Sequence, residues 1–180
     1  MPTFTRTAAF DLEPWLRSSS GVRIVHESDV PEEHRLSPKG RFELHRQHVA
    51  LALDGIKDTG PWGGGHPFDV ELARLPVGKR NFPLHSHAAQ TEYYLIVSGH
   101  GDAIDASGMS QAIRAGDHFM AFPGEAHQLH NTGTTDLVYY VIADHHRADV
   151  TTYPGTGKRQ IKPEMRVVTL ADAPYYEGEE

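Results

Sequence analysis

The feature of this sequence that most restricts its fold is a series of short apolar segments between residues 67 and 145. Turn residues interrupt these segments at about every tenth position, as in Pro76-Val77-Gly78, Ser98-Gly99 and Asn131-Thr132-Gly133. Many short strands at this spacing are typical of an all-β sandwich or barrel. We therefore predict six strands here: Phe68–Leu75, Glu92–Val97, Ala103–Ile104, Gln111–Ile113, His118–Phe122 and Leu137–Ala143.

The segments on either side of residues 67–145 are less regular. Residues 1–66 are interpreted as an N-terminal arm, which ends in the Gly-rich stretch Pro61–Pro67, and residues 146–180 as a C-terminal tail that packs on the barrel. A short helix is predicted to begin within residues 28–33. Residues 41–54 contain neither Gly nor Pro, and their apolar positions fit a helical stripe, although residues 49–53 also alternate as a strand would. We expect a helix, and hence an irregular, partly helical arm.

Two of the predicted strands are apolar on both faces, over residues 93–97 and 137–142. A strand with one face in water would alternate between apolar and polar residues, so both outer faces should be covered. We expect the arm and a second subunit to cover them, which predicts a homodimer.

The composition excludes several classes of function. With 17 Lys and Arg against 24 Asp and Glu, the net charge of -7 argues against a nucleic-acid partner. No apolar run approaches the ~20 residues of a membrane span, and no signal-peptide pattern is visible, so a cytoplasmic protein is the default expectation. The absence of cysteine excludes disulfides, thiolate metal ligands and cysteine nucleophiles.

The histidines carry the strongest indication of function, since the chain has 13 of them in 180 residues. His85 and His87 would share one face of an extended segment, so both rings could point at one ion. Glu92 opens the next predicted strand, and His127 follows a turn that would bring a later strand alongside. Three imidazoles and one carboxylate suit one divalent transition metal ion per chain: Fe, Mn, Ni, Co, Cu or Zn. Taken alone, however, a His-x-His pair is also expected by chance in so histidine-rich a chain.

The residues around these histidines resemble the two motifs of the cupin superfamily. The first motif, G-x5-H-x-H-x3,4-E-x6-G, is matched by Gly78, His85, His87, Glu92 and Gly99, with six residues after Gly78 where the motif has five. The second, G-x5-P-x-G-x2-H-x3-N, is matched by Gly116, Gly124, His127 and Asn131, with Phe122 at the proline position. Both departures lie in turns and not at ligand positions.

The resemblance implies a double-stranded β-helix of the jelly-roll type, with a metal bound in its mouth by His85, His87, Glu92 and His127. The wider sequence looks like small single-domain bacterial cupins, some of which carry a sugar-phosphate isomerase label. The implied function is that of a metal-dependent enzyme acting on a small molecule, of either the dioxygenase or the isomerase and lyase type. A non-catalytic module that binds a sugar or another small molecule is the alternative, because this fold hosts many chemistries.

Further candidates lie close to the predicted metal ligands in sequence. The resemblance allows Glu92 either to bind the metal or to act as a catalytic base, and Tyr94, on the same face, is a candidate proton donor or substrate-binding group. The alternative for Tyr94 is a barrel aromatic residue with a satisfied hydroxyl. Gln90 and His118 are candidates for substrate binding. The alternative is a loop amide without a role for Gln90 and a surface or hydrogen-bonded structural residue for His118.

Overall fold

The computed structural model of this protein describes residues 22–56 and 65–179, so residues 61–64 of the Gly-rich stretch lie outside the described residues. One helical turn, α1 (Val49–Ala52), lies in the described arm, after a 3₁₀ turn at Glu27–Asp29. The strands are β1 (Glu32–Leu36), β2 (Glu43–His48), β3 (Phe68–Leu75), β4 (Ser86–His87), β5 (Glu92–Ser98), β6 (His100–Asp105), β7 (Ser110–Arg114), β8 (His118–Ala121), β9 (His127–His130), β10 (Leu137–Asp144), β11 (Val150–Tyr153), β12 (Lys158–Ile161) and β13 (Arg166–Thr169).

These strands form three sheets, in which neighbouring strands are antiparallel. The strand orders are β1-β2-β3-β10-β5-β8 in a six-stranded sheet, β13-β12-β11-β4 in a four-stranded sheet and β7-β6-β9 in a three-stranded sheet. The prediction of an all-β fold is confirmed, and each of the six predicted strands overlaps an observed one. Among the described residues, no helix has the length and apolar character needed to cross a membrane.

The hydrophobic core lies where the six-stranded sheet faces the three-stranded sheet. Side chains alternate between the two faces of each strand, so that Tyr94 and Ile96 of β5 point inward together with Tyr139 of β10. They pack in one cluster with Ile113 of β7 and Leu129 of β9. This core fills the space at one end of the molecule. At the other end the six-stranded and four-stranded sheets face each other, and both line an open cavity.

The helix predicted for residues 41–54 is wrong over most of its length. The structure has strand β2 there, followed by the single turn α1. Strand β2 pairs with β1 on one side and with β3 on the other, so its backbone hydrogen bonds are made in the sheet. Its alternate residues Leu44, Arg46 and His48 all line the cavity. Pairing on both edges thus outweighs the local helical pattern.

The structure also describes the conformation of the two flanking segments. The helix start predicted within residues 28–33 is limited to the 3₁₀ turn, and β1 begins at Glu32, directly after Pro31. Residues 146–180, interpreted as a tail that packs on the barrel, contain β11, β12 and β13. Because β11 pairs with β4, this segment builds a sheet around one of the predicted metal ligands, His87.

Candidate metal centre

The three predicted histidine ligands converge because of strand register. His85 and His127 form an antiparallel bridge, in which His127 N donates to His85 O at 2.9 Å and His85 N donates to His127 O at 3.3 Å. Residues directly opposite each other in an antiparallel pair project to the same side, and the two ring centroids are 4.7 Å apart. The ring of His87, two residues along, lies 5.2 Å from that of His85.

Glu92 presents its carboxylate to these rings from the first position of β5. His127 Nε2 lies 2.7 Å from Glu92 Oε2, and His87 Nε2 lies 3.5 Å from Glu92 Oε1. One ligand atom each from His85, His87 and Glu92 fall within 4.8 Å of one another. The structure therefore brings His85, His87 and Glu92 together in a group that could hold a metal ion, and His127 contacts the carboxylate of that group.

Each imidazole ring is oriented by a hydrogen bond at Nδ1. His85 Nδ1 donates to Pro83 O at 2.9 Å, His127 Nδ1 donates to Glu125 O at 3.1 Å, and His87 Nδ1 donates to Asp149 Oδ2 at 2.6 Å. A proton held on Nδ1 leaves Nε2 as the ligand atom, and outer partners of this kind are typical of metal-binding histidines. The bonds at Nδ1 thus orient the Nε2 atoms of all three rings toward the cluster.

One buried atom indicates that the cluster suits a cation. His87 Nε2 is buried and has no hydrogen-bond partner among the described residues, although its ring is held by Asp149 on the other side. An unpaired buried ring nitrogen costs about 1–3 kcal/mol unless it is satisfied, and a metal ion would satisfy it. The nitrogen and oxygen donors present are those that divalent transition metals accept. The residues therefore fit a metal ion.

The surroundings of the cluster set the charges of Glu92, His85 and Asp149. Burial disfavours the charged form of Glu92, but the hydrogen bond from His127 and the nearby imidazoles outweigh it and hold the pKa of Glu92 well below its usual range. Burial lowers the pKa of His85 to about 4, so this ring is neutral at pH 7. The pKa of Asp149 is lowered to about 2, since bonds from His87 and Ala89 outweigh its burial. An anionic carboxylate and a neutral imidazole therefore face the cluster.

Tyr94 and Gln90 both contact the candidate ligand Glu92. The Tyr94 hydroxyl donates to Glu92 Oε2 at 2.7 Å, and Gln90 Nε2 donates to Glu92 Oε1 at 3.0 Å. Burial is the main cause that raises the pKa of Tyr94 well above its usual value, so its hydroxyl stays protonated. Both side chains line a cavity of about 300 Å³ beside the cluster, the size of a site for a small molecule.

His118, the other candidate for substrate binding, lies elsewhere. It is exposed on the outer face of β8, where its Nδ1 is 2.5 Å from the Tyr93 hydroxyl. Its side chain does not line the cavity. The structure therefore brings together every predicted site residue except His118.

Several cavity residues were missed because no local motif marks them. Four of the missed residues come from the segment interpreted as a tail. They are Asp149, whose side chain is fully buried, and the cavity-lining Tyr153, Gln160 and Lys162. The alternation of Gln160 with Lys162, and of Thr151 with Tyr153, could have indicated paired strands, but not their place next to His87. Arg46 and His48 of β2 were missed because that strand was interpreted as a helix.

Sequence comparison places this cluster within a known domain. Residues 71–143 match the model of the cupin domain and include all four candidate ligands. A protein of Thermotoga maritima named oxalate-binding protein is 38% identical over 69 residues, which cover 38% of this chain and 55% of that protein. The chain thus aligns with about half the length of this curated relative.

Structural comparison extends the match beyond the domain itself. A sugar phosphate isomerase from a cupin superfamily, of Silicibacter pomeroyi, matches 84% of this chain and 96% of its own with a TM-score of 0.68 at 17% identity, which shows a common fold. A predicted oxalate decarboxylase of Thermotoga maritima matches 69% of this chain and all of its own with a TM-score of 0.53 at 26% identity. These matches confirm the double-stranded β-helix. Residues 71–143 therefore match a cupin domain, and the chain as a whole shares the fold of cupin structures.

Proposed function

We propose that this protein is a metal-dependent enzyme that acts on a small molecule at an ion held by His85, His87, Glu92 and His127. The observation that carries the proposal is the convergence of these side chains, with each Nδ1 occupied and the Nε2 of His87 buried without a hydrogen bond among the described residues. Four protein ligands on a six-coordinate ion leave two positions for exogenous groups, as a working site requires. The cavity of about 300 Å³ supplies the room for them.

A bound divalent ion would supply Lewis acidity toward a substrate oxygen or, if redox active, reaction with O2. The residues around it favour the proton-transfer version, isomerase or lyase chemistry, over the dioxygenase version. Tyr94 keeps its proton, and its hydroxyl oxygen lies 2.7 Å from Glu92 Oε2, so the two side chains form a donor and acceptor pair at the cavity wall. Gln90 holds the other carboxylate oxygen, Glu92 Oε1, and so restricts rotation of the carboxylate.

Tyr94→Phe tests this proposal. We expect kcat to fall by about 10²- to 10⁴-fold with little change in metal content, because the variant loses a proton donor but no ligand. The measurement is turnover of metal-loaded protein on a panel of aldose, ketose and hydroxy-acid substrates, with O2 consumption measured when the ion is iron. Tyr93→Phe is the matched control, since this tyrosine contacts His118 on the outer face. Turnover unaffected by Tyr94→Phe would contradict the role of the hydroxyl.

A non-catalytic binding module is the second candidate, supported by the relative named for oxalate binding. A binder gains stability from its ligand by mass action, about 2.7 kcal/mol at a ligand concentration 100 times Kd, and leaves the ligand chemically unchanged. Thermal unfolding with each panel compound, followed by mass spectrometry of that compound, separates the two functions. Stabilisation without conversion of any compound would favour the binding module.

We also propose that the protein is a cytoplasmic homodimer. An apolar strip runs in register across the outer face of β10, β5 and β8, where Ile142 lies opposite Tyr93 and Tyr93 opposite Met120. Ile142 is 37% exposed and Met120 46% exposed, while the arm reaches this face at Tyr140, whose hydroxyl donates to Glu27 at 3.4 Å. A second copy would cover the remaining apolar surface.

Sedimentation velocity at micromolar concentration tests the dimer. We expect a species of twice the chain mass, and we expect Met120→Glu to shift it toward the monomer by placing a charge in the apolar strip. Lys158→Gln, on a separate sheet, should leave the distribution unchanged. A monomer-sized species alone in the wild-type protein would contradict the proposal.

A further inference from the structure

The cavity wall that faces the six-stranded sheet is built by residues that follow the matched cupin domain. Strand β11 pairs with β4, and β12 pairs with β11, so Thr151 lies opposite both His87 and Gln160. Lys162 extends this ladder, since its backbone N donates to Asp149 O at 2.9 Å. The pairing carries the side chains of Tyr153, Gln160 and Lys162 into the lining of the cavity.

Lys162 reaches toward the candidate metal centre through Gln90. Its Nζ donates to Gln90 Oε1 at 3.1 Å, and Gln90 Nε2 donates to Glu92 Oε1 at 3.0 Å. The amide of Gln90 therefore presents its oxygen to the ammonium group and its nitrogen to the carboxylate, which fixes the Lys162 head group near the ligand cluster. An ammonium group has three N–H donors, so two remain after the bond to Gln90.

Lys162 differs from the two arginines that line the cavity in that its charge has no ion-pair partner in the described part of the chain. Arg46 lies between Glu33, at 2.8 Å, and Glu71, at 3.1 Å, and Arg35 pairs with Glu33 at 2.7 Å. No carboxylate forms an ion pair with Lys162 within residues 22–56 and 65–179. The charge of Lys162 contributes to the lowered pKa of Asp149, but this carboxylate already accepts hydrogen bonds from His87 and Ala89. A half-buried ammonium group without a paired carboxylate attracts an anion.

We propose that Lys162, with Gln160 beside it, forms a subsite for the anionic group of the substrate, a carboxylate or a phosphate. This inference rests on the proposed function, since the rest of such a molecule would extend to the ion held by the His and Glu cluster. Lys162 and Gln160 lie outside residues 71–143, so the subsite belongs to this chain's C-terminal strands and not to the matched domain.

The test is calorimetric titration of the full-length protein loaded with Mn²⁺, using oxalate, inorganic phosphate and the uncharged oxalate analogue oxamide. We expect oxalate or phosphate to bind with one-to-one stoichiometry and oxamide to bind more weakly, and the tighter of the two anions identifies the charged group. Lys162→Gln should weaken anion binding by about 10- to 100-fold, as expected for a charge-assisted hydrogen bond in a partly buried site. Lys162→Arg should retain most of the binding.

Two controls make the result specific. Lys158→Gln removes the same charge from an exposed position on β12 and should bind anions like the wild-type protein. Manganese content, measured on every variant, should be unchanged, because Lys162 is not a ligand. Equal anion binding by Lys162→Gln and wild type, equal loss in Lys158→Gln, or equal affinity for oxamide and oxalate would each overturn the subsite.

The metal content and anion binding of the wild-type protein distinguish failure of the subsite from failure of the proposed function. If the wild-type protein takes up manganese but binds neither anion, the subsite is wrong and the metal centre stands. If the wild-type protein takes up no metal, the metal centre itself is wrong.

Discussion

Replacing His87 by Ala is expected to reduce metal content from about one ion per chain to below about one-tenth of that value. His87 is the ligand whose Nε2 is buried without a hydrogen bond among the described residues and whose ring is held by a fully buried carboxylate. Its loss removes one nitrogen donor and leaves Asp149 without its imidazole partner. The remaining ligands then no longer enclose the ion.

The measurement is metal content by inductively coupled plasma mass spectrometry, both as purified and after loading with Fe, Mn, Co, Ni, Cu or Zn and dialysis. His118→Ala is the matched control, because it removes a histidine from the exposed face of β8 without touching the cluster. Circular dichroism checks that both variants are folded. Wild-type protein without metal after loading, or His87→Ala with wild-type metal content, would show that the ligand assignment is wrong.

The identity of the ion then directs the search for a substrate. Iron would lead first to assays of O2 consumption, because a redox-active ion permits dioxygenase chemistry. Zinc or manganese would lead to isomerase and lyase substrates, for which the pair of Tyr94 and Glu92 supplies the proton donor and acceptor.

Asp149→Asn is expected to weaken metal affinity by about 10- to 100-fold, the usual effect of removing a residue that orients a metal-bound histidine. Asp149 accepts two hydrogen bonds, from His87 Nδ1 at 2.6 Å and from Ala89 N at 2.8 Å. Asparagine has one acceptor oxygen, so it loses one of these bonds. If its amide nitrogen faces His87, the ring proton moves to Nε2 and blocks the ligand atom.

Competition with a chelating indicator dye measures the affinity, and thermal unfolding of the metal-free protein separates a loss of metal binding from a loss of fold. Asp144→Asn is the matched control, since Asp144 accepts from Thr91 N at 2.7 Å and touches none of the four candidate ligands. Wild-type affinity in Asp149→Asn would show that Asp149 does not position His87. Equal weakening in both variants would point to a general charge effect.

Local patterns in the sequence predicted an all-β fold, and the resemblance to the two cupin motifs implied the four candidate ligands. Turn residues separate the strands of residues 68–143, and the alternation of Glu92, Tyr94 and Ile96 identifies the inward face of β5. His85 and His87 are two residues apart, so extended backbone alone directs them to one side. These patterns lie within short stretches of sequence, so they can be recognised without knowledge of the fold.

The helix predicted at β2 was wrong because the apolar residues of that stretch fit two periodicities. Helical spacing and strand alternation both fit parts of residues 41–54, and neither decides the conformation alone. The hydrogen bonds that β2 makes with β1 and β3 decide it. Non-local pairing of this kind cannot be read from the residues that take part in it.

Strand periodicity predicts the class of fold, because it is a property of neighbouring residues, and the resemblance to the cupin motifs adds the set of candidate donor atoms. The surroundings of those donors depend on the tertiary structure. Asp149 reaches His87 across 62 residues and Lys162 reaches Gln90 across 72, both through the pairing of β11 with β4. Contacts at such separations arise from sheet register, so the orientation of the ligands and the charge of the cavity wall appear only in the folded chain.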